Sequence, residues 1–118
     1  VIKIKGFLMT YKPFDNISRV TFHHVLFGRL TTRKYRNKTY AYYTPGMIDK
    51  IPFIRIMNSK IFVLNIENIN AEELRIFGDI TEEACERELT IDSLKTGEEY
   101  WRDITKERGL DFHVKRKK

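Results

Sequence analysis

From Arg19 to Gly46 the chain reads RVTFHHVLFGRLTTRKYRNKTYAYYTPG, and no carboxylate occurs anywhere between Asp15 and Asp49. Arg19, Arg29, Arg33, Lys34, Arg36 and Lys38 supply six positive charges in this piece, five of them between Arg29 and Lys38. The stretch reads as one long β-hairpin. Val20, Phe22, Leu26 and Leu30 share one parity, while Arg19, Thr21, His23, Phe27 and Arg29 share the other, and a strand sends such sets to opposite faces. Val20, Phe22, Leu26 and Leu30 are therefore the expected core positions. Phe27, a large ring among basic residues, becomes a stacking platform. Gly28 marks a position where a bulge can swap the parity of all later residues. The tip falls at Tyr35-Arg36-Asn37-Lys38, because Asn tolerates the positive φ of a tight turn. Thr39 to Thr44 then returns with Tyr40 and Tyr42 facing one side and Ala41 and Tyr43 the other.

The flanks supply the rest of a small fold. Ile2, Ile4 and Leu8 alternate with Lys3, Lys5 and Phe7, which predicts a first strand over residues 2–11. The Tyr11–Asn16 stretch has turn chemistry. Pro45-Gly46 ends the hairpin, and Met47–Ile51 is long enough for one helical turn before Pro52. Phe53 to Ile56, a turn over Met57–Lys60, and Ile61 to Ile66 complete the strands. Arg55 reads as an edge-strand charge that discourages aggregation. Asn70 and Glu73 have capping-box spacing, Thr81 with Glu82 and Glu83 opens a second helix ending near Leu89, and Thr96 with Glu99 opens a third, closed by Gly109. Trp101, with Leu94 and Ile104, is the expected core anchor of that last helix.

These elements predict one α+β domain over residues 1–109, β-rich and basic through residue 66, helical and acidic over 67–109, with a basic tail over 110–118. The expected architecture is a small antiparallel sheet, or an OB-like or SH3-like barrel of about five strands, followed by two or three short helices. A chain of 118 residues has room for a single core. Its single Cys85 permits no internal disulfide, which favours a reducing compartment and the cytoplasm by default. The amino terminus alternates like a strand and lacks a signal-peptide pattern. No apolar run is long enough to cross a membrane. The lack of Gln beside abundant Ile, Lys, Arg and Glu matches heat-adapted compositions and points to a thermophilic archaeal source. An AT-rich genome accounts for the Ile, Lys and Asn equally well.

Charge is strongly segregated. Residues 1–64 carry a net +10, residues 65–107 a net −8, and the tail from Arg108 a net +4. Two arrangements are compatible with this: a basic nucleic-acid face with an acidic back, or acidic helices packed beside the basic sheet and neutralising it.

Candidate chemistry is sparse. His23 and His24 are adjacent, so on a strand their side chains diverge and do not share a metal. No Gly-rich phosphate loop, nucleophile elbow or zincin helix occurs. No acid stands two residues before a lysine, and carboxylates are scarce in the basic half, where Mg²⁺-dependent phosphate chemistry would need them. No cofactor and no metal are expected.

The sequence points first to a non-catalytic binder of RNA or single-stranded DNA. Arg29, Arg33, Lys34, Arg36 and Lys38 would contact phosphates, and Phe27, Tyr40 and Tyr42 would stack on bases. The tail residues Lys115, Arg116, Lys117 and Lys118 would add salt-sensitive affinity. Two other readings remain: an accessory subunit docking on a protein partner through acidic helices in 67–107, and a metal-independent endoribonuclease using His23 or His24 with Arg29.

Overall fold

The computed structural model describes residues 1–67 and 69–115. Arg116, Lys117 and Lys118, expected to contribute to phosphate affinity, lie outside the described residues. The chain runs β1 (Ile2–Pro13), α1 (Asn16–Phe27), β2 (Arg29–Tyr35), β3 (Lys38–Thr44), β4 (Phe53–Met57), β5 (Lys60–Val63), α2 (Ala71–Arg75), β6 (Gly78–Leu89), α3 (Gly97–Glu107) and β7 (Asp111–Val114). The fold is α+β. Its strands form a four-stranded sheet in the order β4-β5-β1-β6 and a three-stranded sheet in the order β2-β3-β7. Neither closes into a barrel.

The largest departure from expectation is α1, which occupies the stretch that alternation assigned to the first hairpin arm. Phe22 and Leu26 stand four residues apart, a spacing that suits a period of 3.6 as well as a period of 2, so parity alone did not separate the two. Local chemistry decides for the helix. The Asp15 carboxylate accepts a hydrogen bond from the Ser18 amide at 2.7 Å, capping the amino terminus. Gly28 ends the helix at φ 85°, where its amide donates to the His24 carbonyl at 3.0 Å. Phe22 and Leu26 are buried, as expected for core residues. Val20 is not: it lies off the apolar stripe and is 54% exposed. Leu30, on β2, is partly buried.

The second departure is β6, where a helix was expected from Thr81 to Leu89. This strand pairs antiparallel with β1 along its whole length, from Pro13 opposite Gly78 to Ile2 opposite Leu89. Helix propensity in a Glu-rich run amounts to only a few tenths of a kcal/mol per residue, about what one cross-strand contact supplies. Lys3, Lys5 and Lys12 face Glu88, Glu86 and Asp79 in the ladder. Part of the acidic half thus sits on a strand beside basic residues of β1, not on helices.

The main core lies between the four-stranded sheet and helices α1 and α2. Met9 and Tyr11 of β1 and Ile61 of β5 meet Phe22 and Leu26 of α1 and Leu74 of α2. The rings of Tyr11 and Phe22 stack with centroids 4.7 Å apart. Burying each such side chain favours folding by roughly 1.5–3 kcal/mol.

Helix α3 was legible in the sequence, and its capping box between Thr96 and Glu99 is formed. It packs against β3 and β7. Trp101 is only partly buried, so it is not the core anchor expected; its indole N–H donates to the Phe27 carbonyl at 2.9 Å, tying α3 to the end of α1. The 46–53 connection joins the two sheets. Gly97 N–H donates to the Ile48 carbonyl at 2.8 Å, and Phe53 and Lys95 exchange backbone hydrogen bonds at 2.9 and 3.1 Å. The start of the expected tail forms β7, which pairs parallel to β3. Among the described residues no helix is long and apolar enough to cross a membrane.

Candidate nucleic-acid interface

The hairpin is present but shorter than its acid-free sequence, comprising β2 and β3. Tyr35 pairs with Lys38, leaving Arg36 and Asn37 as the loop, as the tip placement predicted. The positive φ falls on Arg36, at 58°, and not on Asn37. A non-glycine residue in that region costs on the order of 1 kcal/mol or more.

Register fixes which side chains share a face. Arg33 lies opposite Tyr40 and Thr31 opposite Tyr42, while across the parallel ladder Tyr40 neighbours Asp111 and Tyr42 neighbours His113. Successive residues alternate, so Thr31, Arg33, Tyr35, Lys38, Tyr40, Tyr42, Asp111 and His113 occupy the outer face. Leu30, Thr32, Ala41, Tyr43, Phe112 and Val114 occupy the inner one. Tyr43 is fully buried there, and burial together with the nearby Asp49 carboxylate holds its phenol well above the ordinary tyrosine value.

The outer face carries a continuous row of rings. Tyr42 and His113 stack at 5.5 Å with planes 27° apart, and His113 also meets Tyr40 at 5.9 Å. The Lys115 ammonium lies 5.5 Å from the centre of Tyr42, and that of Lys38 lies 5.6 Å from the centre of Tyr40. Lys38 also forms a 2.6 Å ion pair with Asp111, whose hydrogen bond and charge raise the Lys38 ammonium above its usual pKa. Lys38 is therefore not an unengaged phosphate ligand. Arg33, Lys34 and Arg36 are exposed, and among the described residues none of them forms an ion pair with a carboxylate. Among the described residues, no carboxylate of residues 65–107 forms an ion pair with a cation of the hairpin tip.

Phe27 is the clear correction to the expected site. It ends α1 inside the core, 5% exposed, with the Arg55 guanidinium 5.1 Å from its ring centre. A ring so enclosed offers no face to a base. Arg55 does lie on an edge strand, β4, as expected.

A second site appears, where His23, His24 and Arg29 of the ribonuclease reading meet residues that the sequence did not group with them. The carboxyl-terminal half of α1, the start of β2, the β4 edge and the face and end of α3 enclose a cleft of about 470 Å³. His23, His24, Arg29, Arg55, Trp101 and Arg108 line it, and no carboxylate does. Because residues 23 and 24 are helical, their imidazoles do not diverge to opposite faces of a strand and both border this one cleft. Among the described residues no cluster of metal-ligating groups occurs.

His23 sits edge-on to Tyr11 and Phe27, with ring centres 5.7 and 5.6 Å away. Burial, and then repulsion from Arg55, Arg19 and His24, hold its pKa below the ordinary imidazole value. Below about pH 6.5 the unfolded state takes up a proton that the folded state resists, so this residue makes stability fall as pH falls through that window. His23→Gln is expected to lose that contribution. The difference in urea midpoints between wild type and variant should narrow as pH drops from 7.5 to 5; a difference independent of pH would contradict it.

No family model, curated protein or solved structure matches this chain.

Proposed function

We propose that the protein binds single-stranded nucleic acid, RNA or single-stranded DNA, across the outer face of the β2-β3-β7 sheet. One observation carries the reading: Tyr40, Tyr42 and His113 form an open ring surface flanked by Arg33 and Lys115, and its one carboxylate, Asp111, is already ion-paired. Rings supply sequence-tolerant stacking for unpaired bases, and cations beside them follow the phosphates. Duplex DNA, whose bases are already stacked, makes no use of the rings. At the exposed tip Arg36, in the turn at φ 58°, extends the positive surface beyond the rings, while Lys34 alternates with Arg33 onto the inner face.

Fluorescence anisotropy with short single-stranded RNA, single-stranded DNA and duplex DNA at two salt concentrations tests this. Single strands should bind more tightly than duplex, and affinity should fall as salt rises. The triple variant Arg33→Ala, Lys34→Ala, Arg36→Ala should flatten the log–log salt slope by roughly 0.7 for each phosphate no longer engaged. No binding of either single strand at low salt, or an unchanged slope in the variant, would reject the proposal.

A further inference from the structure

The cleft beside His23 and His24 has a chemistry of its own. Arg29 reaches it from β2, Arg55 from β4 and Arg108 from the end of α3, and among the described residues none of the three forms an ion pair with a carboxylate. Three arginines from separate elements line one concavity that no carboxylate borders, an arrangement that an anion relieves. Arginine forks match the oxygens of phosphate in paired hydrogen bonds. The Trp101 indole stands in the same wall, its orientation fixed by the 2.9 Å hydrogen bond to the Phe27 carbonyl and by an edge-on contact with Tyr100 at 5.3 Å. A fixed aromatic wall in an arginine-lined cleft without carboxylates suits a nucleobase joined to its phosphate. The cleft volume of about 470 Å³ falls within the range of small-ligand sites, roughly 300–1,000 Å³.

We infer that this cleft binds a single nucleotide through its phosphate monoester, with Arg29, Arg55 and Arg108 on the phosphate and Trp101 against the base. None of Tyr40, Tyr42 and His113 lines the cleft, so it is separate from the outer rings and stands whether or not those rings bind a strand. The ligand is either a free mononucleotide or the phosphorylated end of an oligonucleotide; the chemistry recognised is the same.

The test follows Trp101 fluorescence in the full chain during titration with AMP, adenosine, inorganic phosphate and oligonucleotides bearing or lacking a 5′-phosphate. AMP is expected to quench the indole with at least tenfold tighter binding than adenosine. Arg29→Ala and Arg108→Ala, both at exposed positions, should each weaken AMP at least tenfold while keeping the wild-type melting temperature within a few degrees. A phosphorylated oligonucleotide that outcompetes AMP assigns the site to strand ends, and one that does not assigns it to free nucleotides. An independent readout is His23, which faces Arg19, Arg55, His24 and Tyr11: its imidazole should titrate at higher pH in saturating AMP, as an added negative charge demands. Equal affinity for AMP and adenosine, or arginine variants that bind AMP like wild type, would overturn the phosphate assignment. Inorganic phosphate binding as tightly as AMP would overturn the contact between base and Trp101.

Discussion

Alanine at Gly46 is expected to destabilise the protein by at least about 3 kcal/mol, enough to leave a marginally stable domain largely unfolded. A Cβ at this position would run into the Gly28 amide nitrogen and would stand 2.6 Å from the Leu26 carbonyl oxygen and 2.8 Å from the Phe27 carbonyl carbon. All three are main-chain atoms, so no rotamer change relieves the overlap. Gly28 is the other half of the same crossing: a Cβ there would meet the Thr44 carbonyl oxygen at 2.5 Å, and its φ of 85° is itself unfavourable for other residues. The two glycines let the end of α1 pass against the chain leaving β3, which is where the two sheets are joined. Gly109→Ala is the control. Its φ is 68° but nothing lies within 4 Å of the added atom, so only a conformational cost of roughly 1 kcal/mol is expected. Urea unfolding with an unchanged m value measures both; a Gly46→Ala cost no larger than that of Gly109→Ala would show that the crossing opens easily.

Removing the outer rings should have the largest effect on binding. Each stacked base is worth roughly 1–3 kcal/mol, so Tyr40→Ala and Tyr42→Ala should each weaken single-stranded oligonucleotide binding by roughly 5- to 150-fold. The double variant should fall short of the product of the two, because both rings touch His113. Tyr42→Phe keeps the ring and should keep most of the affinity. Both tyrosines lie on the outer face, so circular dichroism spectra should be preserved. Losses below twofold in both alanine variants, with binding otherwise intact, would move the bases elsewhere on the molecule.

Legibility in the sequence divides along a physical line. The turn at Tyr35–Lys38, the hairpin return through Thr44, the turn at Met57–Lys60 and the caps at Asn70 and Thr96 are all local, written in a few consecutive residues, and all are in the structure. The spacing of Phe22 and Leu26 fits a helix and a strand alike, and the Asp15 that caps α1 also suits a turn, so neither signals the helix unambiguously. Strand β6 carries a helix-like composition and becomes a strand because β1 lies beside it, a partner that no window of its own sequence contains. The site shows the same division. Arg33, Tyr40 and Tyr42 were found because alternation along one strand places them; His113 was missed because it joins them only through the parallel pairing of β7. Strand parity turns Phe27 outward, but on helix α1 the same residue falls on the buried side. Of the cleft only His23, His24 and Arg29 were legible together, since Arg55, Trp101 and Arg108 come from β4 and α3, distant in sequence.

The twelve-position ladder between β1 and β6 also bears on how the molecule reaches its native state. The β2-β3 hairpin closes a two-residue loop and is free to form within microseconds, whereas β1 must wait for a partner separated from it by all of α1, β2, β3, β4, β5 and α2. During synthesis Phe7 and Met9 emerge long before Gly78–Leu89 leaves the ribosome, so the earliest strand spends that interval without its longest neighbour. The β1-β6 ladder is therefore expected to complete after the local hairpins and past the folding barrier, so mutations along β6 should act chiefly on the rate at which the native protein comes apart.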